Sequence, residues 1–310
     1  MAPQLLLIHM IVLIINTIDK KVIFMDKITI IGGDNRQKQV ALIMANNGVK
    51  VTTYGLKVPK HKNIINYSFL SEDLFDSEVI MLPIPYKNNK GGINIIDLQQ
   101  HIEPRTIFQL IKPGTIVIYG VKDQEIMDLS KQYSIQSYDI VQEEYFSILN
   151  AIPTAEGAIQ RAMERTLVTL HGSKILVLGY GRIGRVLSRM LWGIGAKVTV
   201  AARRKEDLVW IEEKGYSGIH INEIDSILCE QDIIFNTIPA LILNRSKLEK
   251  VEKNCIIIDL ASRPGGVDFK AAEELGLSAS LDLGLPGLVA PKTAAEIICR
   301  VTYDILKRHR

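Results

Sequence analysis

Cysteine is scarce in this 310-residue chain. The three present, Cys229, Cys255 and Cys299, are odd in number and far apart. That argues against a disulfide-stapled scaffold and reads as reduced core thiols in a cytoplasmic protein. No cysteine or histidine spacing suggests a metal site, so no metal is expected. Charge of one sign is not in excess either. The net charge is +3, and no basic stripe with interleaved aromatics occurs, so nucleic acid is not an expected partner. No low-complexity segment is found. No membrane span is expected, because the apolar run LLLIHMIVLII (5–15) falls short of the roughly 20 residues a spanning helix needs. It also lacks the basic leader and small-residue cleavage site of a signal peptide. The run reads as an extra strand or helix, or as the result of a start codon set before Met25. Residues 1–25 are therefore set apart as an apolar extension, with DKITIIGG after Met25 making a natural beginning for the fold.

What is present is ordinary in bulk and informative in order. Hydrophobic residues make up 47% and charged residues 23%, and the length suits two domains. Short apolar strands alternate with amphipathic segments. Strands are predicted at 27–33, 49–55, 78–85 and 115–120, with helices at 36–48 and 122–130. A long helical stretch from about 142 to 170 is expected to break at Pro153. A second series follows, with strands near 174–178, 197–201, 232–236, 255–260 and 278–282, and a last helix from about 292 to 307. Such alternation implies parallel sheets covered on both faces. The expected fold class is α/β, with two Rossmann-like domains, a cleft between them, and a C-terminal helix packing back toward the first. The expected domains are 26–150, completed by 291–310; a connecting helix at 151–170; and a dinucleotide-binding domain at 171–290.

KILVLGYGRIGR (174–185) carries the sharpest signal. Gly179, Gly181 and Gly184 form G-x-G-x-x-G between a predicted strand and a predicted helix. The first glycine permits the turn, the second lets backbone approach a pyrophosphate, and the third lets helix pack on strand. Gly179, Tyr180, Gly181, Arg182, Ile183 and Gly184 are the candidate contacts. The next strand ends in Ala201, Ala202, Arg203 and Arg204 instead of the acid that bonds an NAD ribose. Guanidinium groups suit a 2′-phosphate, so NADP(H) is the expected cofactor, and two solvated arginines are the alternative. Asn236, Thr237 and Pro239, at the end of IIFNTIP, are candidates for the nicotinamide half, together with Leu260.

The earlier glycine turn, IGGDNRQ (31–37), lacks the third glycine and places Asp34 where a phosphate would sit, so no second dinucleotide is expected there. Asp34 and Arg36 can face a substrate, or cap the helix and be solvated. In IIDLASRPGGVDF (257–269), Arg263 stands at a strand mouth. Pro264 biases it toward extended backbone, and Gly265 and Gly266 allow close approach or unusual dihedrals. Lys292 lies near the start of the last helix, an unfavourable place for a cation, which hints at a ligand.

These segments resemble two groups. LASRPGGVD is similar to the Arg-Gly-Gly segment by which D-2-hydroxyacid and alanine dehydrogenases hold a substrate carboxylate. However, Ala290-Pro291-Lys292 replaces the Pro-His pair that supplies their acid-base. In order, IGGDNRQ, NAIPTAEGAI, LGYGRIGR, NTIPALILN, DLASRPGGVDF and GLPGLVAPKTA resemble the A-subunit family of dipicolinate synthases over residues 27–298. That resemblance implies NADP-dependent oxidation of 4-hydroxy-tetrahydrodipicolinate, or its dehydrated form, to dipicolinate in the mother-cell cytoplasm during spore formation. It also implies a flavoprotein-like B subunit of dipicolinate synthase as partner; a homo-oligomer is compatible with the sequence. The substrate is a small dicarboxylate. Arg263 is the expected anchor for one carboxylate, with Arg36 or Lys292 for the other. Glu156, Asp34 and Lys292 are candidate bases, and Thr154 a candidate to position a carboxylate or water. Glu156 as a simple helix start is the alternative. An NADP-dependent dehydrogenase of another small carboxylate and a non-catalytic NADP(H) sensor remain competing readings.

Overall fold

The computed structural model of the chain describes residues 25–98 and 100–309. The expectation for the apolar extension lies, apart from Met25, outside the described residues. Two compact units result: one runs to Ser147 and resumes at Pro291, and the other is Ile148–Ala290.

The first unit contains strands β1 (Lys27–Ile31), β2 (Lys50–Tyr54), β3 (Ile64–Tyr67), β4 (Val79–Met81), β5 (Ile116–Tyr119) and β6 (Gln136–Asp139). Its main helices are α1 (Asn35–Asn46) and α2 (Gln124–Gln132), and α3 (Glu144–Arg165) carries the chain onward. The second unit contains β7 (Lys174–Leu178), α4 (Arg182–Ile194), β8 (Lys197–Ala202), α5 (Lys205–Glu213), β9 (Ser217–His220), β10 (Ile233–Asn236), β11 (Ile256–Asp259), α6 (Phe269–Glu274), β12 (Ser278–Leu281) and α7 (Leu285–Val289). The chain then returns to the first unit as α8 (Pro291–His309), which packs against α1.

Both sheets are parallel and six-stranded, ordered β3-β2-β1-β4-β5-β6 and β12-β11-β10-β7-β8-β9. Read from its other end, the second repeats the first: each is the doubly wound order with its reversal beside the first strand. The α/β expectation is borne out, including the return of the last helix to the first unit.

Burial on both sheet faces follows from side-chain alternation. In β7, Ile175 and Val177 enter one core cluster while Leu176 and Leu178 enter another. β10 and β11 divide alike: Phe235 and Ile258 join the first cluster, Ile234 and Ile257 the second. A period of two across a continuous apolar run thus feeds two layers of helices. The strands that the sequence reading misses, β3, β6 and β9, all lie at sheet edges, and their residues are mostly half-buried or exposed.

Two expectations need correction. Helix α3 does not break at Pro153. The proline removes one backbone donor, and the Thr154 hydroxyl, 2.7 Å from the Asn150 carbonyl, ties the same stretch of helix together. Thr154 and Glu156 therefore lie inside a helix, not at its start. Of the cysteines, Cys255 and Cys299 are buried, and burial pushes the Cys255 thiol up to about 12. Cys229 is exposed, so it is not a core thiol.

Candidate active site

The turn after β7 is built around its three glycines, each for a separate reason. Gly179 has φ +101°, and a Cβ there would fall 2.5 Å from Thr237 Oγ1. A Cβ on Gly184 would fall 2.1 Å from the Gly179 carbonyl oxygen, so only glycine lets α4 pack this close. Gly181 differs: among the described residues, nothing lies within 4 Å of the Cβ it lacks. It is the N-cap of α4, it provides no side-chain cap, and the first turn holds no acid. Open space in front of uncapped helix amides fits a phosphate group. Tyr180 is flanked by Arg185, whose guanidinium lies 5.1 Å from the ring centroid and whose Nε donates to the Tyr180 carbonyl at 3.1 Å. Ile183 packs against the core, and Arg182 opens the helix.

At the end of β8, the two arginines are not equivalent. Arg204 donates to Asp207 through Nε (2.8 Å) and Nη2 (2.9 Å), and Arg185 Nη2 lies 3.4 Å from the same carboxylate. The Arg204 hydrogen bond holds the Asp207 carboxyl below the usual range. A carboxylate therefore does stand near this strand end, contrary to the sequence reading, and it engages Arg204. Arg203 is exposed and has no ion-pair partner among the described residues.

The loops after β10 and β11 share one buried device. Asn236 and Asp259 are both fully buried. Asn236 Nδ2 donates to Asp259 Oδ1 (2.8 Å) and to the Ile238 carbonyl (2.9 Å), while its Oδ1 accepts from Ile238 N (3.1 Å). Asp259 also accepts from Ala261 N (3.0 Å) and Gly266 N (2.6 Å). Both ends of the Asn236 side-chain amide are thus engaged within the protein, which leaves the loop's backbone groups as the part that could face a cofactor. The Leu260 side chain is 6% exposed and part of the core. The Thr237 hydroxyl donates to the Leu178 carbonyl, and Pro239 is exposed at the loop tip.

Between Ala261 and Gly265 the chain turns outward. Ser262, Arg263 and Pro264 are exposed, and Gly265 N donates to the Ser262 carbonyl at 2.9 Å. The Arg263–Pro264 peptide is cis. Gly265 has φ +90°, and a Cβ there would meet Asp259 Oδ2 at 2.6 Å; one on Gly266 would meet Asn236 Nδ2 at 2.4 Å. The two glycines are required by the buried acid and amide beneath them. Arg263 has no ion-pair partner among the described residues, and it lies at the same sheet edge as the Gly179–Gly184 turn.

The remaining candidates separate. In the first unit, Asp34 is the N-cap of α1 in a capping box with Gln37, and Arg36 grips Asp34 (Nη2–Oδ2 2.7 Å) while donating to the Ile84 carbonyl. Arg36 is only 6% exposed. Neither the free anchor nor the free base expected there exists, because each satisfies the other. Thr154 is buried with its hydroxyl on Asn150, so it is not a free donor to a ligand. Glu156 is exposed in mid-helix, and Lys292 is exposed in the first turn of α8. Sequence reasoning missed Asp259, Asp207 and Arg185. An acid closing an otherwise apolar IIID strand was the available signal for the first, since a buried carboxylate demands donors.

Among the described residues, no group of three or more potential metal ligands occurs, and no helix is long and apolar enough to cross a membrane. Residues 27–141 match the family described as the N-terminal domain of the dipicolinate synthase A subunit. Residues 148–274 match the NAD binding domain of D-isomer specific 2-hydroxyacid dehydrogenases, which makes the second unit a nicotinamide-cofactor domain of oxidoreductase type. The chain is 33% identical over 288 residues to the dipicolinate synthase A subunit of Bacillus subtilis (strain 168), covering 90% of this chain and 95% of that protein. The crystal structure of the dipicolinate synthase A subunit from Bacillus halodurans superposes with a TM-score of 0.83 at 32% identity, covering 91% of this chain and 97% of that one. The Bacillus subtilis structure gives 0.79 at 31%, over 91% and 96%. The chain belongs to the A-subunit family of dipicolinate synthases.

Proposed function

We propose that this chain is the NADP-dependent subunit of a dipicolinate synthase, oxidising the dehydrated form of 4-hydroxy-tetrahydrodipicolinate to dipicolinate for spore formation. The observation that carries this reading is Arg263: an exposed guanidinium, without an ion-pair partner among the described residues, at the sheet edge that also holds the open glycine turn. The substrate has a carboxylate for it to grip bidentately. Family membership supports the substrate class.

When bound, the nicotinamide ring supplies a hydride acceptor. Loss of one hydride and one proton converts the dihydropyridine ring to the aromatic pyridine, so electrons and atoms balance with NADP+ as the only oxidant. The chain's own residues have separable tasks. The amides around Gly181, Arg182, Ile183 and Gly184 would hold the pyrophosphate. Arg203 would meet the 2′-phosphate, and the absence of an acid at Ala201 and Ala202 supports NADP over NAD. Tyr180 and the Thr237–Pro239 loop would border the dinucleotide. Glu156, exposed and without an ion-pair partner among the described residues, is the proposed proton acceptor in the second unit. The proposed partner is the flavoprotein-like B subunit, and the proposed site of action is the mother-cell cytoplasm.

The test mixes purified chain, NADP+ and enzymatically generated precursor, with and without the B subunit. NADPH and the ultraviolet absorbance of the pyridine product are followed together. Stoichiometric appearance of both is expected. Folded, cofactor-bound protein that forms no product in either mixture overturns the reading.

A further inference from the structure

We infer that Asp259 is the positioning residue of the Arg263 hook. It fixes where the guanidinium sits without touching substrate itself. The inference rests on the reading that Arg263 binds a substrate carboxylate.

The geometry is specific. The exposed tip Ser262–Pro264 leaves the core at Ala261 and re-enters it at Gly265 and Gly266. One carboxylate takes the N–H at both shoulders: Oδ1 from Ala261 (3.0 Å) and Oδ2 from Gly266 (2.6 Å). The loop is therefore pinned across its base by a single side chain that is 0% exposed. Its remaining side-chain bond comes from Asn236 (2.8 Å), whose amide is itself fixed by both backbone groups of Ile238. The Gly266 carbonyl accepts from Ile242 and Leu243 N, each at 2.9 Å, which ties the returning strand to the neighbouring loop. Gly265 and Gly266 keep the space that this carboxylate and amide occupy free of any Cβ. Arg263 is left as the loop's exposed cation over a fixed base. A mobile loop would have to be ordered each time a carboxylate bound, at a cost of about 0.5–1.5 kcal/mol for each immobilised side chain; a pinned loop avoids that cost.

Asp259→Asn keeps the Oδ1 acceptor and sets an NH2 group against the Gly266 N–H, so it breaks one shoulder selectively. The experiment is a double-mutant cycle on the full chain with NADPH bound, using Asp259→Asn, Arg263→Ala and the pair. The probe is dipicolinate, titrated calorimetrically, with NADPH affinity and unfolding midpoint measured in parallel. Arg263→Ala is expected to weaken dipicolinate about 100-fold, as for truncating one partner of a charge pair. Asp259→Asn alone is expected to weaken it about tenfold through the lost hydrogen bond. In the Arg263→Ala background the same change is expected to cost less than about twofold, because the residue through which it acts has gone. NADPH affinity should change by less than about twofold in Arg263→Ala, since no bond of its side chain reaches the glycine turn; in Asp259→Asn it is measured to keep all dipicolinate titrations at saturating cofactor.

Additive losses, or wild-type dipicolinate affinity in Asp259→Asn, overturn the inference alone. Arg263→Ala without effect, or no dipicolinate binding by the wild type, overturns the Arg263 reading and this inference with it. If Asp259→Asn does not fold, Gly265→Ala serves instead. A Cβ 2.6 Å from Oδ2 displaces the loop while leaving the acid in place, and the same non-additivity is expected.

Discussion

After β1 the chain runs Ile31-Gly32-Gly33-Asp34; after β7 it runs Leu178-Gly179-Tyr180-Gly181. Strand order and position are the same, yet the two turns have different neighbours. In the first unit, a Cβ on Gly32 would meet Ile95 Cγ1 at 2.7 Å and the Asn94 carbonyl at 2.9 Å, and Gly33 N already donates to that carbonyl at 2.8 Å. The segment Asn94–Ile95 lies against the turn, and Asp34 caps the helix behind it. In the second unit, among the described residues, no atom lies within 4 Å of the Cβ that Gly181 lacks and no side chain caps α4. A shared sheet topology thus does not decide whether a turn accepts phosphate. What decides it is whether the chain has filled the helix end with its own atoms, here a carboxylate and a strand-like segment.

Single substitutions put the difference between the two turns to the test. Gly184→Ala should have the largest effect. Its Cβ would lie 2.1 Å from backbone that cannot move aside, so the second unit should lose about 3 kcal/mol or more, together with cofactor binding. Thermal unfolding read with cofactor titration checks this, and a stable, binding-competent variant would refute the packing account. Asp34→Ala should destabilise the first unit by about 3 kcal/mol, because it removes the cap and leaves the buried Arg36 guanidinium unpaired. An unchanged unfolding midpoint would show that the acid is not needed there. Gly181→Val should leave stability nearly intact, since its side chain enters open space, yet weaken cofactor binding about 100-fold by blocking close approach. Wild-type stoichiometry should be one dinucleotide per chain; two would erase the distinction between the turns. Among the arginines, Arg203→Ala should lower NADP affinity about tenfold and leave NAD affinity unchanged. Arg204→Ala should cost less than about threefold, because Arg204 is already engaged by Asp207. Equal losses from the two would refute that ranking.

The second unit was the more legible of the two from sequence. Continuous apolar strands such as KILVL and IIID carry their own signal, and three glycines at fixed spacing need only local backbone to explain them. Edge strands such as QSYD and SGIH lack that signal, because one side of each has no paired strand among the described residues and burial is incomplete. Pro153 was misleading for a different reason: propensity argues locally, whereas α3 buries Ala155, Ala158 and Ala162 in the core, and that packing holds the helix through the proline. Arg36 and Asp34 looked like ligands because a charge in a glycine turn is conspicuous. Only the folded chain brings their groups into mutual contact, with the Ile84 carbonyl 48 positions away. For Arg263 the order was reversed. The cation was visible at once, while the acid that fixes its loop was hidden as the last letter of an apolar strand.

The return of α8 to the first unit also bears on the order in which the protein can be made. The second unit is a single uninterrupted stretch, so all of its sheet is available before Pro291 is added. The first unit is begun earlier yet finished later, since among the described residues the helix that packs along α1 comes from 291 onward. During synthesis, which proceeds at about 5–20 residues per second, that flank stays uncovered for seconds while the younger unit is still being completed. Vectorial growth thus inverts the order of the two folds: the unit that leaves the ribosome first is the one that must wait.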